Sequence, residues 1–155
     1  MRFLVATLCL AAVVAVCSPA LAVPGASVSL GEGTLLGGDE TARSNVNVEA
    51  MLTYSLVLVK LDLGVLFDME QPDNPVWLRP GLRASLPGMS LYARGGLPCS
   101  MSEEFDWGIL LGLGYELLDL KAVKVFAEVD ATFMDSVSFK DVVPIEGRIG
   151  VSIGF

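Results

Sequence analysis

Histidine is absent from all 155 residues of the sequence. Catalytic triads, zinc sites and general bases that depend on an imidazole are therefore excluded. The chain is also poor in basic residues, with 10 Lys and Arg against 18 Asp and Glu. Nucleic-acid binding requires clustered positive charge, so no nucleic-acid partner is expected. Phosphate-binding loops, metal-ligand clusters and nucleophile motifs are missing as well, so neither a cofactor nor a metal ion is predicted.

The first 22 residues have the pattern of a secretory signal peptide. Arg2 supplies the positive charge, and an almost unbroken apolar run follows from Phe3 to Val16. Ala20 and Ala22 then form an A-x-A cleavage pattern. We predict cleavage after Ala22, so that residues 1–22 are the signal peptide and residues 23–155 form one domain. The alternative is an uncleaved anchor helix, for which the apolar run is short.

Cysteine is scarce outside this segment. Cleavage removes Cys9 and Cys17 and leaves Cys99, so no disulfide within the mature chain is possible. The residue before Cys17 is Val16, not the small residue that precedes a lipidated cysteine, so no lipoprotein is predicted. We interpret Cys99 as a loop thiol and not as a reactive one.

The last eleven residues alternate between apolar and polar side chains. The apolar residues on one parity are Ile145, Ile149, Val151, Ile153 and Phe155. The other parity holds Glu146, Arg148 and Ser152, together with two glycines. A period of two predicts a strand with one apolar face, and this strand continues to the terminal aromatic residue.

This pattern resembles the C-terminal signature of Gram-negative outer-membrane β-barrel proteins. The resemblance implies that the barrel-assembly machinery reads Ile149, Val151, Ile153 and Phe155 as an insertion signal. It also implies the outer membrane as the location and outer-membrane lipid as a partner. A monomer is favoured, although the sequence leaves the oligomeric state open.

Seven earlier segments alternate in the same way. The predicted strands are residues 26–35, 45–54, 59–69, 76–86, 89–97, 106–117, 122–134 and 145–155. Long loops are expected at 36–44, 70–75, 98–105 and 135–144, and short turns near 55–58, 87–88 and 118–121. Pro80 lies inside the fourth strand, where proline normally argues against a central strand or marks a bulge.

An even number of strands with alternating long and short connections is typical of bacterial outer-membrane barrels. The sequence therefore predicts an all-β fold, an eight-stranded antiparallel up-and-down transmembrane β-barrel. It resembles the OmpX-like and OmpA-like class of eight-stranded barrels.

Charged side chains fall on the parity opposite to the apolar one. A lysine or arginine that faces lipid at the membrane midplane costs about 2–4 kcal/mol, so we place the charges in the lumen. There they are expected to form a structural network that plugs the barrel. The network residues are Glu49, Lys60, Asp62, Arg79, Arg83, Arg94, Glu116, Lys124, Glu128, Asp130, Glu146 and Arg148.

Alternation alone does not distinguish the inside of a barrel from the outside. The alternative is a soluble periplasmic or secreted lipocalin-like barrel that binds an apolar ligand in its interior. Enzymatic activity is not predicted. Lipid A palmitoyltransferases and deacylases resemble the chain in size, but both depend on a catalytic histidine. Glu128 and Asp130 share one face, and we interpret them as part of the packing network instead of an acid–base pair.

Overall fold

The computed structural model describes residues 23–37, 42–56, 59–70, 76–86, 88–101, 105–120, 122–134 and 142–154. The predicted signal peptide and the terminal Phe155 lie outside these residues. Within the described part of the chain, no helix is long and apolar enough to cross a membrane.

In the described part of the chain, almost every segment that alternates between apolar and polar residues forms a β-strand. The ten strands are β1 (Val23–Leu36), β2 (Ala42–Arg43), β3 (Asn47–Leu56), β4 (Val59–Asp68), β5 (Trp77–Ser85), β6 (Leu91–Gly96), β7 (Cys99–Ser100), β8 (Gly108–Leu120), β9 (Val123–Met134) and β10 (Val143–Gly154). Two of them are only two residues long: β2 pairs with the end of β1, and β7 continues the line of β6. The other eight form the wall.

The sheet closes on itself. Each wall strand pairs antiparallel with the next one along the chain, and β10 pairs with β1 from Gly25–Gly154 to Leu36–Val143. The predicted eight-stranded antiparallel barrel is thereby confirmed. The strand ends that lead into the long loops lie at one end of the barrel, called the loop end here. The strand ends that lead into the short turns lie at the other end, called the turn end. At the turn end Gly88 adopts a φ of 75°, a conformation that glycine reaches without strain.

The register fixes the tilt of the strands. A circuit of directly paired residues that starts at Pro24 returns to β1 at Thr34, ten residues further on. The circuit passes through Tyr54, Leu61, Leu82, Gly95, Leu111, Ala131 and Ile145. A shear of ten residues over eight strands corresponds to a tilt of about 41°. A ten-residue strand then rises about 25 Å, which matches the apolar band of transmembrane barrels.

The apolar face points outward. Leu52, Leu113 and Val129, which lie near the middle of their strands, are 56–64% exposed. Trp107, which directly precedes β8, and Tyr115, in the second half of β8, lie on this outer face, as expected for aromatic girdles. The alternative of a soluble barrel with an apolar interior is therefore wrong.

Most strand boundaries differ from the predictions by one to three residues, and two of the differences have a clear cause. The predicted turn at 118–121 is shorter, because a bulge between Glu116 and Leu118 lets β8 continue to Leu120. The predicted loop at 98–105 begins later, because Cys99 and Ser100 keep the register of β6 against β5. Neither change alters the number of wall strands.

Pro80 sits in a regular register opposite Leu63, so it lies inside its strand as predicted and causes neither a bulge nor a break there. Its carbonyl accepts a hydrogen bond from the Leu97 nitrogen at 2.9 Å, so its missing N–H faces β6 and leaves the pairing with β4 intact. A second hydrogen bond is missing at Pro98. Its carbonyl accepts a hydrogen bond from the Gly108 nitrogen at 2.9 Å, but proline has no N–H to donate in the opposite direction. The ladder therefore lacks two neighbouring hydrogen bonds at this point.

Candidate functional site

The middle of the lumen holds an equal number of buried positive and negative side chains. Four arginines and four carboxylates are each at most 4% exposed. We call these eight residues the plug: Glu49, Asp62, Arg79, Arg83, Arg94, Glu128, Asp130 and Arg148. Their formal charges cancel, which is the condition under which ions are tolerated away from water.

Glu49 is the centre of the plug on the side nearer the loop end. Its carboxylate accepts from Arg94 at 2.6 Å and from Arg79 at 3.3 Å, and lies 3.7 Å from the Arg148 guanidinium. Asp130 binds two of the same arginines, Arg79 at 3.1 Å and Arg148 at 2.9 Å. Because each arginine contacts more than one carboxylate, these residues form a connected network and not separate pairs.

Arg94 joins this layer to the one nearer the turn end. Besides Glu49, it donates to Glu128 at 2.8 Å. Glu128 also accepts from the Tyr92 hydroxyl at 2.9 Å. On the other side of the layer, Arg83 lies 3.2 Å from Asp62. The plug is thus continuous across both layers.

Two aromatic rings belong to the layer of the plug that lies nearer the turn end. The Arg83 guanidinium lies 4.5 Å from the centre of the Tyr92 ring and 5.7 Å from that of Phe126, within the range of cation–π attraction. Each ring covers a glycine of a neighbouring strand, Tyr92 over Gly114 and Phe126 over Gly150. A Cβ atom at either glycine would overlap the ring, so the glycines make the room in which the rings lie.

The four remaining predicted network residues lie at the two ends of the lumen. At the loop end, Glu146 pairs with Arg148 and accepts from Asn47 at 2.8 Å. At the turn end, Glu116 lies 2.7 Å from Lys124 and 3.5 Å from Lys60. The structure therefore places all twelve on the lumen side of the wall and brings eight of them together in the plug.

Tyr92 and Phe126 lie on the same parity as the charged residues of their strands, but they were not included in the predicted network. A signal for them exists, since each is an inward aromatic residue paired with an inward glycine. Tyr92 pairs with Gly114, and Phe126 pairs with Gly150. Asn47 was also left out of the predicted network, although its side-chain amide donates a hydrogen bond in the lumen.

The arrangement offers little for catalysis. The side chains of Glu128 and Asp130 are fully shielded from solvent, and arginines hold both of them. In the described residues, no group of three or more acidic or cysteine side chains is placed to hold a metal ion. What the plug does provide is a set of buried, mutually paired charges in the middle of the lumen.

No protein-family model matches the chain, and no curated protein sequence is similar to it. Several solved structures share its fold. Neisserial surface protein A is 16% identical with a TM-score of 0.56, over 85% of this chain and 97% of that one. The N-terminal β-barrel domain of Pseudomonas aeruginosa OprF is 15% identical with a TM-score of 0.53, over 84% and 97%.

Ail, the attachment invasion locus protein of Yersinia pestis, is 12% identical with a TM-score of 0.51, over 88% of this chain and all of that one. Identities this low show the fold alone. The chain has the fold of the eight-stranded outer-membrane β-barrels, which confirms the resemblance inferred from its terminal strand.

Proposed function

We propose that the chain is a non-enzymatic outer-membrane protein with a closed lumen that acts at the cell surface through its loop end. The observation that carries this proposal is the plug, with its eight mutually neutralised and buried charges. The outward apolar face and the shared fold support the outer membrane as the location, with lipid as the surrounding partner. In this orientation the turn end faces the periplasm.

A closed lumen follows from the energetics of the plug. An ion that crosses the barrel has to separate buried guanidinium–carboxylate pairs. Leaving one of these buried charges without its partner costs about 3–5 kcal/mol. Glycines on the lumen side of the wall lie against several of these side chains and leave room for them, so that the charged groups fill the cross-section of the lumen. Eight-stranded barrels are the size at which side chains fill the interior.

Charge at the loop end indicates what kind of surface contact is available. The four predicted loops carry eight acidic and two basic residues in the sequence. One of the two basic residues, Arg43, is already engaged, at 2.6 Å from Glu32 and 3.0 Å from Glu70. The excess negative charge favours a positively charged partner at the cell surface.

The first test is electrical. The protein purified in detergent is added to planar lipid bilayers under voltage, and no discrete conductance steps are expected. A variant with Glu49 and Arg94 replaced by alanine serves as the positive control, because it opens the centre of the plug. Regular ion-conducting steps from the unmodified protein would contradict the closed lumen.

A second test addresses the surface contact. Protein in lipid nanodiscs is titrated with polylysine and with polyglutamate at low and high salt. Polylysine is expected to bind at low salt, and binding is expected to weaken when Glu103 and Glu104 are both changed to Gln. Equal binding of this variant would contradict a contact made by the loops.

The insertion signal remains a prediction and belongs to this proposal. Its described members Ile149, Val151 and Ile153 face outward and are 44–56% exposed. Exposure on the lipid side leaves them readable by the barrel-assembly machinery before the barrel closes. Replacing Ile153 by Asp is expected to reduce the heat-modifiable, folded fraction in outer-membrane preparations, and Ser152→Asp on the lumen side is the matched control.

A further inference from the structure

On one side of the barrel, large apolar side chains stay exposed all the way to the loop end of the outer wall. Five of them are 37–67% exposed, and we call them the apolar collar: Phe67, Met69, Met101, Phe105 and Trp107. Phe67 shares the outward side of β4 with Leu63, which pairs with the outward Leu52. The collar is therefore an upward continuation of the wall that faces lipid.

On another side of the barrel, at β1 and β2, the outer face carries an ion pair. Glu32 pairs across the sheet with Gly147, which in turn pairs with the outward Val129, so the Glu32 side chain lies on the outer face. Its carboxylate accepts from the Arg43 Nε atom at 2.6 Å, and both side chains are more than half exposed. We call Glu32 and Arg43 the charged notch.

The collar and the notch occupy the same level of the barrel. The circuit from Pro24 to Thr34 climbs about 25 Å in eight strand-to-strand steps, so each such step rises about 3 Å and each residue along a strand about 2.5 Å. On this scale Thr34, Met69 and Trp107 all lie about 25 Å above the starting residue. Thr34 belongs to the notch side, because it pairs directly with Arg43.

A tilt of the whole barrel does not produce this difference. Tilting raises both ends of one side together, so the turn end below the collar would lie higher as well. Instead Leu120, at the turn end of β8, is 61% exposed and lies about 4 Å below the level of Pro24. From Trp107 to Leu120 the apolar outer face is therefore about 30 Å tall, whereas along β1 it ends at Glu32, about 20 Å above Pro24.

We propose that the hydrocarbon of the membrane meets the loop end along a sloping line, high over the collar and low at the notch. Lipid chains are the occupant of the collar, because the collar continues the lipid-facing wall of β4 and β8 below it. Head groups and water descend to Glu32 and Arg43, because charged side chains are costly in hydrocarbon. A bilayer adapts its thickness to a protein at a modest cost per ångström, so it can follow both surfaces. The slope does not depend on which end faces the cell exterior, and an open or a closed lumen leaves it unchanged.

The test compares two spin labels at the same level of the barrel, one in the collar and one beside the notch. Each is attached to a single cysteine, Met69→Cys or Thr34→Cys, on a Cys99→Ser background in phosphatidylcholine vesicles. Oxygen reports contact with hydrocarbon, and a water-soluble nickel chelate reports contact with water. The oxygen-to-nickel accessibility ratio is expected to be at least about threefold higher at Met69, because the local hydrocarbon is thicker there. Leu113→Cys, on the outer face of β8, gives the reference value for hydrocarbon.

Removing the charges tests the notch itself. Glu32→Leu combined with Arg43→Leu is expected to bring the ratio at Thr34 to within about twofold of that at Met69. The matched pair Glu32→Gln and Arg43→Gln stays polar and is expected to change the ratio much less. Should the labelled variants fail to fold, Trp107 is a native probe, since Trp77→Phe leaves it as the remaining tryptophan. Lipids brominated along the acyl chain are expected to quench it more strongly than lipids brominated at the head group.

Three results would overturn this inference. A ratio at Met69 no higher than at Thr34, or stronger quenching of Trp107 from the head group, means that the membrane boundary is flat. Low accessibility of Met69 to both reagents means that protein, and not lipid, covers the collar. A ratio at Thr34 that stays the same after both charges are replaced by leucine removes the notch as a cause of the slope.

Discussion

Replacing Arg94 by Met removes the one side chain that joins the two layers of the plug. Its guanidinium donates to Glu49 at 2.6 Å and to Glu128 at 2.8 Å. Glu49 keeps Arg79 at 3.3 Å, but Glu128 loses the guanidinium that donates to it and keeps the Tyr92 hydroxyl at 2.9 Å. Methionine fills much of the arginine volume, so the change tests charge more than packing.

The expected loss of stability follows from the charge that stays behind. Removing one partner of a buried ion pair costs about 3–5 kcal/mol, because the remaining ion is left uncompensated. Arg43→Met is the matched control, since that guanidinium is 58% exposed and pairs with Glu32 and Glu70 at the surface. Water and salt screen an exposed pair, so the control is expected to be nearly neutral.

Urea unfolding of the protein in lipid vesicles measures both variants, with tryptophan fluorescence and gel mobility of unboiled samples as two readouts. The midpoint of Arg94→Met is expected to fall while the slope stays constant. Adding Glu128→Gln to Arg94→Met is expected to recover part of the loss, because it removes the orphaned charge. A loss for Arg94→Met no larger than that for Arg43→Met would refute the buried network as a source of stability.

Three further outcomes are expected. Leu113→Arg places a charge on the lipid face near the middle of β8, which costs about 2–4 kcal/mol. The substitution should therefore lower the yield of folded barrel in vesicles, and an unchanged yield would contradict the outward orientation. Gly114→Val introduces a side chain that overlaps the Tyr92 ring, and this overpacking is expected to lower the free energy of unfolding by about 1–3 kcal/mol. The urea midpoint should therefore fall, whereas an unchanged midpoint would contradict the contact. Amides of Leu97 and Gly108, beside the proline gap, should exchange hydrogen faster than amides in the middle of β9 and β10; equal protection would contradict the gap.

Strand number and the direction of each face were predictable because lipid acts on every strand in the same way. A barrel wall with lipid on one side and a packed lumen on the other imposes a period of two, and Leu111, Leu113 and Tyr115 show it clearly. The end of β8 was missed because a bulge shifts the parity after Glu116 without any turn residue to mark it. β7 was missed because Pro98 reads as a loop residue, although its carbonyl still takes part in the ladder.

Ion-pair partners in the plug were not predictable from the sequence. Arg94 on β6 meets Glu49 on β3, 45 residues earlier and with two wall strands between them. Which side chains reach the same height in the lumen depends on the shear, and the shear is set by the hydrogen-bond register of every pair of strands together. A change of register on one pair by two residues would keep every face correct and yet bring different charges together.

The neutral plug also separates an acidic loop end from a turn end whose paired charges balance. Eight acidic and two basic residues occupy the predicted loops, whereas at the turn end Lys60 and Lys124 face the carboxylates of Glu116 and Asp119. Because the plug carries no formal charge, it adds little attraction or repulsion of its own at either end. The loop end is therefore expected to select cationic contacts by its own charge. A plug with a surplus arginine would weaken this selection, so its balance of four against four matters beyond the stability of the barrel.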